Sequence, residues 1–140
     1  MRTPGHLVSV GGPIDETDAS LLIHSHAIVP EEITKLLNCV PDRSHHKGDL
    51  NKSGIPTRSH LWWIEESGKQ EPEILIQRLI DRVSLEKSVW EKITDRCEAK
   101  ISCVLTLTEW TRGLELSPKL LSTLGDLKIG LGFSIYFIED

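Results

Sequence analysis

His24 and His26 are separated by a single residue. In an extended strand that spacing sets two imidazoles on one face, where they can chelate a metal ion. His45, His46, Asp49 and His60 follow and offer a third ligand. No H-E-x-x-H or cysteine-based signature accompanies them, so they read as surface histidines and no metal is expected. A second group lies in 42–60. Arg43, Lys47, Lys52 and Arg58 stand there against Asp42 and Asp49, a basic segment in a chain of net charge -5. Gly48 and Gly54 can turn backbone amides toward an anion. Arg43, His45, His46, Lys47 and Arg58 are therefore one candidate set, for an anion or a small ligand.

Other chemistry finds less support. There is no G-x-S-x-G elbow, no Walker loop and no G-x-G-x-x-G. The adjacent Glu65 and Glu66 carry no burial signal that would tune them for acid–base work. No catalytic residue and no cofactor is expected, and the chain reads as a non-enzyme. Cys39, Cys97 and Cys103 are odd in number and lack C-x-x-C spacing, which suits free thiols in a reducing compartment. A cytoplasmic location follows as the expectation. The negative charge argues against a nucleic-acid backbone as partner. No apolar run nears the roughly 20 residues of a membrane-spanning helix, so no membrane partner is expected either.

Two of the four tryptophans, Trp62 and Trp63, are neighbours in "SHLWWIEES". Neighbours on a strand point to opposite faces. Trp62 is in phase with Ile64 and belongs in the core. Trp63 is in phase with Leu61 and falls on an open face, with Trp110 and Tyr136 expected near it; it is either free there or covered by the long loop or the leader folding over it. Aromatic residues on a half-wet sheet are effective interface anchors. Trp63, Trp110, Tyr136, His24 and His26 form the second candidate set, for a protein partner or self-association.

The elements that must position these groups follow from periodicity. Residues 1–18, with Pro4, Gly5, Gly11, Gly12 and Pro13, read as a flexible leader with at most a short extended piece at 7–10. "SLLIHSHAIV" alternates as a first strand. "PEEITKLLNCV" has helical spacing, starts on Pro30 and stops at Pro41. The segment 42–57 has no periodicity and is long for a loop in a compact domain. It is functional, mobile, or hiding a short strand. "RSHLWWIEE" is a second strand, "PEILIQRLIDRV" and "LEKSVWEKITDRC" are helices, and "AKISCVLTLTEW" is a third strand. "SPKLLSTLGDL" is a helix capped by Ser117 and stopped at Gly125, and "KIGLGFSIYFIED" is the last strand. The glycines of "GLG" within it suggest a bulge or a close approach by another chain.

One face of these strands is almost wholly apolar and the other is mixed. Each helix has one apolar stripe to lay on the apolar face. The expected fold is an α+β two-layer sandwich, with an about four-stranded, mainly antiparallel or mixed sheet and three to four helices on one face. The domain spans 19–140.

Four stretches carry a family resemblance: "VPEEITKLLN", "HKGD", "HLWWIEES" and "LELSPKLLSTLGDLKIGLGFSIYF". In this order and spacing they resemble a bacterial family catalogued as domain of unknown function 4279, from about Leu21 to Phe137. The resemblance places Trp62 and Tyr136 on family positions. It has no counterpart for the leader, and the family carries a small or polar residue where this chain has Trp63. It implies a small, stand-alone soluble bacterial protein, compatible with an immunity-like protein that binds another protein, and it supplies no catalytic residue.

Overall fold

The computed structural model describes residues 16–108 and 113–138. Alternating apolar residues build four of the five strands, and helical spacing builds four helices. Their order is β1 (Glu16–Ser25), α1 (Pro30–Leu37), β2 (Arg43–His45), β3 (His60–Gly68), α2 (Pro72–Arg82), α3 (Lys87–Arg96), β4 (Cys97–Leu107), α4 (Pro118–Leu127) and β5 (Gly130–Phe137). The architecture is α+β, a mixed five-stranded sheet in the order β2-β3-β1-β4-β5. β1 sits at its centre, antiparallel to both β3 and β4. β4 and β5 are parallel, which requires the crossover through α4.

Proline starts three of the helices. Pro30, Pro72 and Pro118 occupy the first turns of α1, α2 and α4, where the missing N–H costs nothing. Ser117 caps α4 by accepting the Leu120 N–H at 3.2 Å. The helix stops differ from those read in the sequence. α1 ends before Pro41, because Asn38 turns left-handed at φ 52°. α4 runs past Gly125, and Lys128 takes the left-handed position at φ 59°.

Strand limits also move. β1 begins at Glu16, so Glu16, Thr17 and Asp18 belong to the sheet and not to a leader ending at 18. β1 ends at Ser25, whose hydroxyl accepts the N–H groups of Ala27 at 3.0 Å and Ile28 at 2.8 Å and bends the chain away. His26 therefore lies beyond the strand and does not continue the face of His24. The fifth strand is β2, three residues hidden in the apparent loop and paired with β3.

The covered face carries Leu21, Ile23, Trp62, Ile64, Ile101 and Cys103, all 0% exposed. α2 packs against β1 and β3, and α3 packs against β4. Burial pushes the Cys103 thiol up to about 11. The far end of β5 departs from the expected pattern. Phe133, Ile135 and Phe137 share the covered face by register, yet they are 38%, 60% and 38% exposed. The reason is length. α4 has ten residues and spans about 15 Å, whereas the eight residues of β5 extend about 26 Å. The helix layer buries Ile129 and half of Leu131 and then runs out. No bulge occurs in β5, whose ladder with β4 is continuous. Gly132 instead makes room for Lys100, whose Cε would lie 3.0 Å from an added Cβ.

An ion cluster ties the start of the long loop to α2. The Asp42 N–H donates to the Trp63 carbonyl at 2.8 Å, and its carboxylate accepts the Glu65 N–H at 2.8 Å. Arg82 donates to Asp42 at 3.2 Å, to the Glu65 carbonyl and to Glu66. Partial burial alone would push the Asp42 carboxyl up. The hydrogen bonds from Arg82 and Glu65 outweigh it and hold the group below its ordinary 3.8. A carboxylate with a depressed pKa stabilises the fold at neutral pH and loses that contribution as pH falls through its folded-state pKa. Asp42→Asn is expected to cost about 1 kcal/mol at pH 7, a value discounted for the half-exposed site. The gap from the parent should close as pH falls below about 4, which urea titrations at pH 7 and pH 3 check.

Candidate functional site

The strand register arranges the open face in rows. Arg43, Trp63, Leu22 and Lys100 lie across one row, and His45, Leu61, His24 and Glu98 across the next. The Arg43 guanidinium stacks 4.8 Å from the Trp63 ring centroid and reaches Glu65 at 3.8 Å. Trp63 is half-buried beneath it, and its indole Nε1 is shielded from solvent with no hydrogen-bond partner.

Beyond this corner the chain from His46 to Thr57 is folded as a hairpin by its own polar groups. The Asp49 carboxylate accepts the His46 N–H at 2.8 Å, and the Thr57 hydroxyl donates to the His46 carbonyl at 2.8 Å. Gly48 N–H donates to Thr57 O, and Thr57 N–H to Asp49 O. At the tip, the Asn51 side-chain oxygen accepts the N–H groups of Ser53 and Ile55. Gly54 takes φ 74°, a conformation that favours glycine. This frame presents Leu50, 69% exposed, and Ile55, 59% exposed. Lys47, Lys52 and Arg58 are exposed around them and form no ion pair among the described residues.

The histidines serve this frame. His46 Nε2 lies 2.8 Å from Glu31 Oε1, and its ring meets His60 edge-on at 5.9 Å. His60 Nδ1 accepts the Lys47 N–H at 2.9 Å. Glu31 is held below the usual carboxylate range by its backbone hydrogen bond and by His46. His24 and His26 edge a shallow depression of about 400 Å³ with Ser59, Asp95, Arg96 and Cys97. Burial pushes the Cys97 thiol up, away from a reactive thiolate. Among the described residues no three His, Cys, Asp or Glu side chains are placed to hold a metal ion.

Of the aromatic set, Trp63 and His24 lie close to the hairpin and His26 lies just past the strand end. Tyr136 does not join them. It sits three strands across, about 14 Å, and six residues further along the sheet by register. Trp110 lies outside the described residues. Of the anion set, Lys47 and Arg58 are on the hairpin and exposed. Arg43 is engaged by Trp63 and Glu65, and His46 by Glu31, so the five do not converge on one point. His45 lies on the open face beside Leu61, with a shielded Nδ1 that has no partner. Leu50 and Ile55 went unmarked in the sequence. The signal for them was the pair of apolar residues bracketing "NKSG", a turn composition.

Among the described residues no helix is long and apolar enough to cross a membrane. No curated protein and no solved structure matches the chain. The family match reaches the whole described fold and begins five residues before Ser20, inside the segment read as a leader. Over residues 15–138 the chain matches the family model described as a domain of unknown function (DUF4279), and it belongs to that family.

Proposed function

We propose that this chain is a non-enzymatic, cytoplasmic protein-binding module of an immunity-like kind in a bacterium. It engages an acidic protein partner through the hairpin and the adjoining open-face corner. One observation carries the reading. A segment without periodicity is folded by its own side-chain hydrogen bonds, and the result is to hold two aliphatic side chains in solvent within a ring of lysine and arginine. Exposed aliphatic residues supply buried area on binding, and the surrounding cations steer an acidic partner. Trp63 under Arg43 extends this surface along the sheet.

Site-specific photo-crosslinking in the native host tests the proposal. A benzophenone residue at position 50 or 55 should give one discrete protein adduct. The same residue at Gln77, exposed on α2, should give none. Changing Lys47, Lys52 and Arg58 to Glu should abolish the adduct. Equal adducts at 50, 55 and 77, or none at any, would remove the hairpin as the binding element.

A further inference from the structure

The hairpin from His46 to Thr57 satisfies its own polar groups, but its hold on the rest of the fold is slight. Among the described residues two hydrogen bonds join it to the body, and an imidazole makes each of them. The first runs between His46 Nε2 and Glu31 Oε1 on α1, at 2.8 Å. The second runs from the Lys47 N–H to His60 Nδ1 at the start of β3, at 2.9 Å.

The two bonds respond to a proton in opposite ways. A backbone N–H only donates, so the Lys47 bond requires His60 Nδ1 to be unprotonated, with the ring proton on Nε2. A proton on Nδ1 sets donor against donor and breaks the bond. The His46 bond needs an N–H on Nε2, which the neutral and the charged ring can both supply. Charge on His46 makes that bond charge-assisted. The two rings meet edge-on at 5.9 Å, so two charged imidazoles would also repel each other. Of the groups that face them, Glu31 comes from α1, and Asp49, 3.9 Å from His46 Nδ1, comes from the hairpin. Glu31 is held below the usual carboxylate range by its backbone hydrogen bond and by His46, so it stays ionised in mild acid. β1 sets the uncharged Ser25 opposite His60. Lys47 and Arg58, close by along the chain, are exposed.

We propose that His60 is a proton-operated latch on the hairpin. The neutral ring holds Lys47 against β3. Protonation frees Lys47 and leaves the hairpin to swing on the remaining link between His46 and Glu31. Leu50 and Ile55 then lose their fixed position beside the open-face corner. A surface that must be ordered before it binds gives up affinity to that ordering. Partner engagement is therefore strong while His60 is neutral and weaker in acid. This consequence rests on the hairpin as the binding element; the latch itself does not.

The test reads the latch in the isolated full chain, so it succeeds or fails whether or not the hairpin binds a partner. Isotope-labelled protein is compared by NMR at about pH 8 and about pH 5, the range in which an imidazole changes charge. The parent should show a nitrogen–nitrogen coupling across the bond from Lys47 to His60 at the higher pH and lose it at the lower. The heteronuclear NOEs of the hairpin amides should fall with it. His60→Asn sets a carbonyl oxygen near the place of Nδ1, where it accepts a hydrogen bond and does not titrate. That variant should keep its hairpin NOEs high at both pH values. His60→Phe keeps a ring without an acceptor and should have low hairpin NOEs at both. His46→Gln keeps a donor for Glu31 and should respond to pH as the parent does. A parent without the coupling at the higher pH, or one whose hairpin NOEs respond as those of His60→Asn do, would overturn the proposal. So would a response that disappears in His46→Gln, which would move the latch to His46.

Discussion

Trp62→Ala is expected to destabilise the protein by about 3–5 kcal/mol, the largest loss of any tryptophan substitution on the sheet. The indole is 0% exposed between β3 and α1, and its Nε1–H donates to the Thr34 hydroxyl at 3.1 Å. Truncation leaves a cavity and strands the hydroxyl of Thr34. Trp62→Phe should cost less, about 1–2 kcal/mol, because most of the apolar volume remains and only the hydrogen bond is lost. Trp63→Ala should fall near 1 kcal/mol. The ring is half-buried under Arg43, but its Nε1 is shielded and unpaired, so removing it also removes a desolvation penalty. Urea titrations of the three variants measure the contrast. Equal losses for Trp62→Ala and Trp63→Ala would place both indoles in the core.

The second large effect is expected at the junction of the two central helices. Trp90, 1% exposed, donates its Nε1–H to the Ser84 carbonyl at 2.7 Å. Ser84 N–H in turn donates to the Leu37 carbonyl at the end of α1, at 3.0 Å. One side chain therefore fills the core under α3 and satisfies the link that joins α2 to α3 and anchors it to α1. Trp90→Ala should cost about 3–5 kcal/mol, and Trp90→Phe about 1–2 kcal/mol by leaving the Ser84 carbonyl unsatisfied. Ser84→Ala keeps both backbone groups and loses only the 3.3 Å bond that its hydroxyl accepts from the exposed Glu86 N–H, so it should cost less than about 1 kcal/mol. A loss from Ser84→Ala as large as that from Trp90→Phe would show that the hydroxyl, not the carbonyl, carries the link.

The sequence made the layers legible because alternation and helical spacing report which face is buried. Trp62 and Ile64 were read into the core and lie there fully buried, in the same layer as Leu21, Ile101 and Cys103. Three features were not legible, each for its own reason. The start of β1 was obscured by "ETD", whose charges sit on a strand although their composition suits a leader. The order of the 42–60 segment rests on side chain to backbone bonds of Asp49, Asn51 and Thr57, which have no periodicity to detect. The exposure of Phe133 and Ile135 depends on how far α4 reaches, a quantity set by two elements together and by neither pattern alone. The candidate residues were partly found. Trp63, Lys47 and Arg58 border the hairpin corner, while Tyr136, read as a neighbour of Trp63, belongs to the opposite edge.

The central place of β1 has a consequence for how the chain reaches this state. The first strand pairs on one side with β3 and on the other with β4, where Ser25 meets Cys97 and Glu16 meets Thr106. Those last contacts close loops of half to two-thirds of the chain, an entropy cost that must be met before the pairing gives anything back. The sheet cannot close around its own centre until β4 has been synthesised. Until then β1 offers one unpaired side, flanked by Leu21 and Ile23, to any extended segment nearby. Refolding should accordingly be slower than for helical proteins of this length, in the millisecond-to-second range. The transient species at risk is the chain that has made β1 to α3 and lacks β4, and its hazard is pairing with another such chain through the empty side of β1.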